Sequence, residues 1–409
     1  MGPPPVRSSG KPRERAEFKP SGNVADVKVR SPARIVGRLP DGSPRASMAK
    51  LDSFLKAMVE QSGSDLHVVS GNPPIMRIHG ELVRVKAPDL QAQALAAVLQ
   101  EITPEHIWRQ FRETQDADFA YEVEGVARFR VNLFMQRNGP AAVLRVIPAD
   151  IMTCQELGLP DVVRGLAQYH KGLVLVTGPT GSGKSTTLAA IVDEVNRTRA
   201  DNILTIEDPV EFVHVPRKAL VSHREVGTHT RSFSAALRAA LREDPDVILV
   251  GEMRDKETIG LAVEAAATGH LVFGTLHTQN AAKTVDRIIE VFPAEEQGQI
   301  RSTLADALNA VVAQTLFRRV DRPGRVAALE VMICTPAISN LIREGKTYQI
   351  PSALQMGKKD GMQSLDSAIV ELLQKGIISE EEALRKAVNK DQLRRSSGGQ
   401  SPVPAMAAR

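Results

Sequence analysis

The feature that most constrains this chain is a glycine-rich loop set between an apolar run and a helical run. Residues 172–177 read GLVLVT, and residues 178–187 read GPTGSGKSTT. A G-x4-GK[ST] loop that follows a strand and opens a helix folds so that its backbone N–H groups surround phosphate oxygens. The dipole of the following helix also favours an anion at this place. The pattern therefore predicts a site for the phosphates of a nucleotide.

Within this loop each residue type has an expected task. Lys184 supplies a positive charge to the β- and γ-phosphates, and the hydroxyl of Ser185 is expected to hold Mg²⁺. ATP and Mg²⁺ are therefore the predicted cofactors. The predicted nucleotide-binding residues of the loop are Gly178, Pro179, Thr180, Gly181, Ser182, Gly183, Lys184, Ser185 and Thr186.

The region around the loop alternates apolar strands with helical stretches. Strand-like runs at 172–178, 202–208, 246–252 and 271–277 are mainly apolar, as expected of strands buried on both faces. Such alternation predicts a parallel sheet in a doubly wound α/β domain. Beyond Pro293 the pattern is interpreted as mainly helical.

The part before the loop indicates a smaller mixed α/β domain. Apolar positions at 51, 54, 55, 58 and 59 follow the period of an amphipathic helix. Short strands are predicted at 65–69, 74–80 and 81–85, then a helical pair over about 88–113 in which Thr103 can cap the second helix. Three further strands are predicted at 117–123, 127–136 and 141–148.

Charge separates the N-terminal tail from the body. Residues 1–47 hold ten Lys and Arg against four Asp and Glu, whereas the whole chain has a net charge of only +4. The proline-rich tail is expected to be disordered, and its charge could contact anionic lipid or nucleic acid. The predicted divisions are a basic tail at 1–47, an N-terminal domain at 48–148, a linker at 149–160, an ATPase domain at 161–350, C-terminal helices at 351–395 and a flexible tail at 396–409.

Composition excludes several classes of protein. No apolar run reaches the roughly 18 residues of a membrane-spanning helix, and the N-terminus lacks the apolar segment of a secretory signal. Two distant cysteines do not suffice for a disulfide framework or a four-cysteine zinc site, so a reducing cytoplasm is expected. With 15 aromatic residues there is little for base stacking, and no specific nucleic-acid partner is expected.

Hydrolysis needs carboxylates beside the phosphates, and two strand ends offer them. Glu207, Asp208 and Glu211 follow one apolar strand, and Glu252 follows another. Ligands of doubly wound sheets bind at the carboxyl ends of the strands, where the loop also lies. Glu252 is therefore the predicted base that orients water, with Asp208 a candidate metal ligand and Glu207 and Glu211 supporting groups; all four could also be solvated strand-end acids.

Two histidines and three arginines are further candidates. His270 and His277 flank one strand and lie too far apart to share a metal, although His277 could bond the γ-phosphate or Glu252. Arg128 and Arg130 lie on one face of a strand by period two, and Arg145 lies on the next strand. Arginines that reach a phosphate site stabilise transition-state charge, but spacing alone also fits surface arginines.

Taken in order, these motifs resemble those of the secretion-type ATPases. The segments GPTGSGKST, TIEDPVEFVH, DPDVILVGEMRD and TGHLVFGTLHT carry this resemblance. SDLHVVSGNPPIMRIHGEL, ARFRVNLFMQR and GMQSLDSAIVELLQKGIIS are more narrowly similar to the type IV pilus retraction ATPases, the PilT-like twitching motility proteins. The resemblance covers about 48–388, nearly the whole body of the chain.

The resemblance implies a PAS-like N-terminal domain joined to a RecA-like ATPase domain, in a hexameric ring with ATP between the domains. It implies a motor at the cytoplasmic face of the inner membrane that retracts pili through a platform protein. By motif match, Lys184 and Ser185 bind nucleotide and Mg²⁺, and Glu252 is the catalytic glutamate. Glu207, Asp208 and Glu211 form the acidic box, His270 and His277 the histidine box, and Arg128, Arg130 and Arg145 become plausible nucleotide contacts.

One helix departs from the family pattern and keeps two alternatives open. Residues 337–342 read AISNLI, with Ser339 where the family carries an arginine. This change and the basic tail are compatible with an accessory or regulatory ring ATPase of the same family that has weak or no motor activity and works beside a paralogous ATPase. A pilus-assembly or type II secretion ATPase is the other alternative, although the chain lacks the zinc insertion that those proteins commonly carry.

Overall fold

The computed structural model of the chain describes residues 51–78, 80–147, 150–390 and 393. The predicted tails at 1–47 and 396–409 lie outside the described residues, as do Pro148 and Ala149 at the predicted domain boundary. The chain divides into two compact units. Of the described residues, the first unit holds those up to Ala117 together with Asn132–Leu144, and the second holds Asp118–Val131 together with those from Arg145 onward.

The N-terminal part builds a six-stranded sheet in the order β3-β2-β1-β6-β5-β4. The predicted amphipathic helix is present and buries Leu55 and Met58 completely. The elements are α1 (Asp52–Glu60), β1 (Gly63–Val69), β2 (Ile75–Ile78), β3 (Glu81–Arg84), α2 (Ala92–Ile102), α3 (Glu105–Thr114), β4 (Asp116–Val123), β5 (Ala127–Gln136) and β6 (Gly139–Ile147).

The predicted N-cap of α3 is wrong. Thr103 is the C-cap residue of α2, and its hydroxyl donates to the carbonyl of Leu99 at 2.6 Å. Pro104 takes the N-cap position without a side-chain hydrogen bond. A threonine hydroxyl can bond back to the carbonyl four residues earlier, so its presence before a helix does not fix which helix it serves.

The second unit is built on a seven-stranded sheet in the order β13-β12-β7-β11-β10-β8-β9. All neighbouring strands from β12 to β9 run parallel, and β13 is antiparallel to β12. The strands are β7 (Gly172–Thr177), β8 (Asn202–Glu207), β9 (Leu220–Glu225), β10 (Val247–Val250), β11 (Leu271–Leu276), β12 (Leu308–Arg318) and β13 (Arg325–Ile333). The helices are α4 (Asp161–Gly165), α5 (Lys184–Thr198), α6 (Phe233–Ala240), α7 (Lys256–Thr268), α8 (Ala281–Glu290), α9 (Ala294–Ala307), α10 (Pro336–Arg343), α11 (Ile350–Met356), α12 (Leu365–Gln374) and α13 (Glu380–Lys386).

Helices cover both faces of this sheet, as the uniformly apolar strands predict. In β7, Leu173 and Leu175 pack with α6 to α9, whereas Val174 and Val176 pack with α5 on the other face. Several helices start at a hydroxyl, carboxylate or amide side chain that accepts a hydrogen bond from an N–H of the first turn. These N-caps are Ser232, Asp255, Asn280, Thr335, Ser364 and Ser379. The predicted α/β class with a doubly wound sheet is confirmed.

The expectation of a mainly helical chain beyond Pro293 is wrong in one respect. β12 and β13 form a long antiparallel pair, and β12 lies directly beside β7. Ten of the eleven residues of β12 are buried or half-buried. A run that is apolar on all sides looks the same in a buried strand and in a buried helix, so periodicity could not separate the two.

The C-terminal helices pack on the outer part of β12 and β13. Phe317 is fully buried against Leu365, Ile369 and Ile378. The ammonium of Lys386, at the end of α13, donates to the carbonyl of Leu316 at 2.6 Å. None of the helices in the described part of the chain combines the length and hydrophobicity that a bilayer crossing requires.

Candidate functional site

The glycine-rich loop joins β7 to α5 at the carboxyl edge of the parallel sheet. Gly178, Gly181 and Gly183 have φ of +143°, +75° and +88°, values that residues with a side chain rarely adopt. A Cβ on Gly178 would also lie 2.3 Å from the carbonyl oxygen of Gln314. The loop therefore depends on glycine for two reasons, its backbone conformation and its contact with β12.

Lys184 is the first residue of α5, and its side chain folds over the loop. Its ammonium donates to the carbonyls of Gly178 and Pro179 at 2.9 and 3.2 Å. Burial lowers the pKa of Lys184, and the nearby carboxylates of Glu252 and Glu211 partly oppose that effect. Pro179, Thr180 and Gly181 are exposed on the outer turn, Ser182 is buried, and Thr186 is half-buried.

A cavity of about 120 Å³ lies beside the loop and brings the predicted carboxylates together. Its walls include Ser185 from α5 and the strand-end residues Glu207, Asp208, Glu211 and Glu252. The strands that carry these acids, β10 and β8, lie beside each other in the sheet, and β11 separates β10 from β7. Their carboxyl ends therefore converge at one edge, as expected for a parallel sheet.

Arg254 and His277 hold the carboxylate of Glu252. Its Oε1 lies 2.5 Å from Nε of Arg254 and 2.9 Å from Nε2 of His277, and its Oε2 accepts from Arg254 at 2.6 Å. Burial alone would raise the pKa of Glu252, but the hydrogen bonds and charges of Arg254 and His277 outweigh it and lower the pKa. The carboxylate is therefore ionised at neutral pH. The turn that carries it is fixed by Thr275, whose hydroxyl donates to the carbonyl of Gly251 at 2.5 Å.

Glu207 is a different kind of carboxyl, buried at the end of β8. Its Oε2 accepts from the backbone N–H of Glu211 at 3.2 Å, and its Oε1 is buried without a hydrogen-bond partner among the described residues. Desolvation raises the pKa of Glu207 to about 7. Two carboxyl groups with well separated pKa values thus line one cavity, an arrangement common where proton transfer occurs.

The two predicted histidines lie at opposite ends of β11. His277 follows the carboxyl end of the strand and contacts Glu252. His270 precedes the amino end, and its Nδ1 lies 3.0 Å from the carbonyl of Ala265 in α7. The structure therefore brings His277 to the cavity and leaves His270 at the far edge of the sheet.

The three predicted arginines have different surroundings. Arg130 lines the cavity and lies 3.9 Å from Asp118. Arg128 instead forms an ion pair with Glu225 at 2.5 Å, in which both side chains are largely buried. Arg145 is exposed on β6 and does not line the cavity.

The structure adds three residues near the site that the sequence motifs do not single out, His214, His223 and Arg254. Behind Glu207, the Nδ1 of His223 lies 2.8 Å from the hydroxyl of Thr205, and its Nε2 accepts from the backbone N–H of His214 at 3.1 Å. The rings of His214 and His223 stack with centroids 5.9 Å apart. Arg254 stands only two residues after Glu252, so that motif could have revealed it.

The oxygen donors of the cavity suit Mg²⁺. The Ser185 hydroxyl and the carboxylates of Asp208, Glu207 and Glu252 are hard oxygen ligands. Among the described residues no cluster of three or more His, Cys, Asp or Glu side chains could hold a metal ion by itself. A site with few protein ligands fits Mg²⁺, which keeps several waters and binds chiefly through substrate phosphates.

Comparison with known proteins extends over most of the chain. The family model "T2SSE: Type II/IV secretion system protein" matches residues 44–323. A Pseudomonas aeruginosa protein named "Type IV pilus retractation ATPase PilT" is 53% identical over 82% of this chain and 98% of its own length. A Neisseria gonorrhoeae "Twitching motility protein" is 48% identical over 83% of this chain and 91% of its own.

A solved structure shows the same likeness in three dimensions. The "Crystal Structure of the Pilus Retraction Motor PilT and Bound ADP" matches with a TM-score of 0.79 and 43% identity, covering 85% of this chain and 100% of that one. The fold is thus similar to that of a protein that was crystallised with ADP.

Proposed function

The chain belongs to the type II/IV secretion ATPase family and, within it, to the pilus retraction ATPases, and from that premise we propose that it is a hexameric, Mg²⁺-dependent motor that retracts type IV pili. Nucleotide binding and ATP hydrolysis are properties of this family of ATPases. The observation that best supports the proposal is the cavity in which Glu252 and Arg130 lie beside the phosphate loop. The ring, the metal and the cellular partners are the parts that the proposal adds.

Binding begins at the loop. Its backbone N–H groups and the dipole of α5 bind the phosphates, and Lys184 neutralises the charge of the β- and γ-phosphates. Ser185 and Asp208 line the same cavity and would hold Mg²⁺, which would neutralise charge on the phosphate oxygens. Lys184 can release the carbonyls of Gly178 and Pro179 because a phosphate is the stronger acceptor.

Hydrolysis uses the acceptor position of Glu252 that Arg254 and His277 leave open. A carboxylate offers about four lone-pair positions, and Arg254 and His277 occupy three of them. The fourth can accept a hydrogen bond from a water molecule and orient its oxygen toward the γ-phosphorus. As the new P–O bond forms, the bond to the bridging oxygen breaks, the proton passes to Glu252, and ADP leaves with the bridging oxygen. Arg130, in the same cavity, can stabilise negative charge that develops on the phosphoryl group.

The proposed setting is the cytoplasmic face of the inner membrane, where six copies form a ring and act on the membrane platform protein of the pilus. Binding and release of nucleotide would change the position of one domain against the next subunit. The similarity to relatives named for pilus retraction and twitching motility supports this assignment.

One observation keeps the accessory ring ATPase as a second candidate. Ser339, on α10, is half-buried and forms a side-chain hydrogen bond with the thiol of Cys334. It therefore presents no charge at the position where the family carries an arginine. Under this candidate the chain hydrolyses ATP but cannot retract pili without a paralogous ATPase. Twitching of a strain that lacks this chain and its paralogous ATPases, complemented with the wild type or with Ser339→Arg, separates the two: rescue by the wild type supports the motor, and rescue only by Ser339→Arg supports the accessory role.

Steady-state phosphate release tests the enzyme itself. Lys184→Ala should reduce turnover at least tenfold, because it removes the positive charge that stabilises the transferred phosphoryl group. Lys375→Ala, at the exposed residue that follows α12, is the matched control and should leave turnover unchanged. Equal turnover in Lys184→Ala and the wild type would refute the assignment of the site.

A further inference from the structure

Gln314 lies on β12, where this strand continues beyond the end of β7. The parallel register pairs Ala313 with Thr177, the last residue of β7, so the next residue of β12 stands beside the start of the glycine-rich loop. Gln314 is 3% exposed. A buried amide of this kind must satisfy its donor and its acceptor within the protein.

Both ends of the Gln314 amide bind the loop region. The Nε2 donates to the carbonyl of Ser182 at 2.6 Å, in the last turn of the loop. The Oε1 accepts from the hydroxyl of Thr187 at 2.7 Å, in the first turn of α5. One side chain thus connects the end of the loop to the start of the helix that carries Lys184.

Backbone and side-chain atoms of Gln314 also limit the space that is available to the loop. Its carbonyl oxygen lies 2.3 Å from the place where Gly178 would carry a Cβ, and its Nε2 lies 2.8 Å from that of Gly183. The two outer glycines of the loop are therefore in close contact with one residue of β12. A shift of Gln314 would change the path of the loop at both of its ends.

β12 is well placed to keep Gln314 fixed. It is paired with β7 on one side and with β13 on the other. Two residues later, the carbonyl of Leu316 accepts from the ammonium of Lys386. A side chain on a strand anchored from three directions loses little entropy when it binds the loop.

We propose that Gln314 is a positioning residue for nucleotide, holding the glycine-rich loop and the start of α5 in the geometry that binds phosphate. The proposal rests on the proposed function, since it concerns the same nucleotide site. The amide carries its donor and its acceptor on separate atoms, so Gln314 can donate to Ser182 and accept from Thr187 at once. A carboxylate would meet the Ser182 carbonyl with a second acceptor, and an apolar side chain would lose both bonds.

Equilibrium titration with a fluorescent ADP analogue in EDTA tests the proposal without metal and without turnover. Gln314→Met should raise the Kd about tenfold because both bonds are lost, and Gln314→Glu should raise it further through its charge. With Mg²⁺-ATP, KM should rise in parallel, while kcat at saturation falls less than threefold. Gln363→Met is the matched control, because the Nε2 of Gln363 donates to the carbonyl of Leu329 on β13 at 2.9 Å; its Kd should stay within twofold of the wild type.

If a Gln314 variant does not fold, Thr187→Val tests the same contact from the other side. It removes the hydroxyl that donates to Gln314 at nearly constant side-chain volume. It should raise the Kd about threefold, and adding it to Gln314→Met should have no further effect. Hydrogen exchange of the amides at 179–184 should quicken in each variant. Wild-type Kd and exchange rates in Gln314→Met and Thr187→Val would overturn the proposal. A wild-type protein that fails to bind the ADP analogue would instead refute the proposed function.

Discussion

Replacing His214 by phenylalanine should change the pH dependence of stability in a calculable way. His214 is 2% exposed, and its Nδ1 is buried without a partner among the described residues. Burial, with a smaller effect from His223, lowers its pKa from the ordinary 6.5 to about 4. The folded protein therefore binds a proton at this ring less readily than the unfolded chain does. Stability from this source is complete above pH 6.5 and is lost as the pH falls toward 4.

The magnitude follows from these two pKa values. At pH 5 the unfolded chain gains about 2 kcal/mol from protonating this histidine, whereas the folded protein gains almost nothing. At pH 7.5 the same difference is about 0.1 kcal/mol. His214→Phe removes the effect, so its free energy of unfolding relative to the wild type should increase by about 2 kcal/mol between pH 7.5 and pH 5.

The assay is urea unfolding of the apoprotein in EDTA at both pH values, followed by far-ultraviolet circular dichroism. Circular dichroism is needed because Trp108, the only tryptophan of the chain, lies in the other unit. Any change in packing from the larger ring is the same at both pH values and cancels. The exposed His106→Gln serves as control. A difference between His214→Phe and the wild type that does not change with pH would refute the burial argument.

Two other predictions concern the ion pair and the loop. Arg128→Met leaves the buried carboxylate of Glu225 without its cation and should lower the free energy of unfolding by about 3 kcal/mol, and adding Glu225→Gln should recover at least half; a loss below 1 kcal/mol would contradict this. Gly178→Ala should abolish nucleotide binding because the added Cβ meets a backbone carbonyl at 2.3 Å, whereas Gly181→Ala, with open space, should only weaken it. Equal affinities of the two variants for a fluorescent ADP analogue would show that the backbone contact is unimportant.

The loop and the carboxylates could be predicted because their geometry follows from local rules. A glycine-rich loop after a strand and before a helix has few possible folds, and Glu207 and Glu252 each end an apolar run. Parallel strands place such ends at one edge of a sheet. The motifs along the chain therefore predict the loop and the carboxylates without knowledge of any long-range contact.

Other parts of the site depend on contacts between distant segments. Gln314 lies 127 residues after Thr187, its hydrogen-bond partner, and the run that contains it carries the same apolar signal as a helix. The alternating pattern correctly places Arg128 and Arg130 on one strand. It does not reveal that Arg128 pairs with Glu225 or that Arg130 lines the cavity. The His214–His223 pair has no pattern in the sequence, because it forms through the return of the chain between β8 and β9.

The most direct test of the central claim is single-turnover hydrolysis by Glu252→Gln. Glu243→Gln is the matched control, because Glu243 also accepts from an arginine, Arg224, at 2.7 Å. Glu252→Gln should bind the fluorescent ADP analogue within threefold of the wild type and hydrolyse bound ATP at least 100-fold more slowly, while Glu243→Gln should match the wild type in both. A loss of less than twofold in the rate of hydrolysis would show that Glu252 does not orient the attacking water.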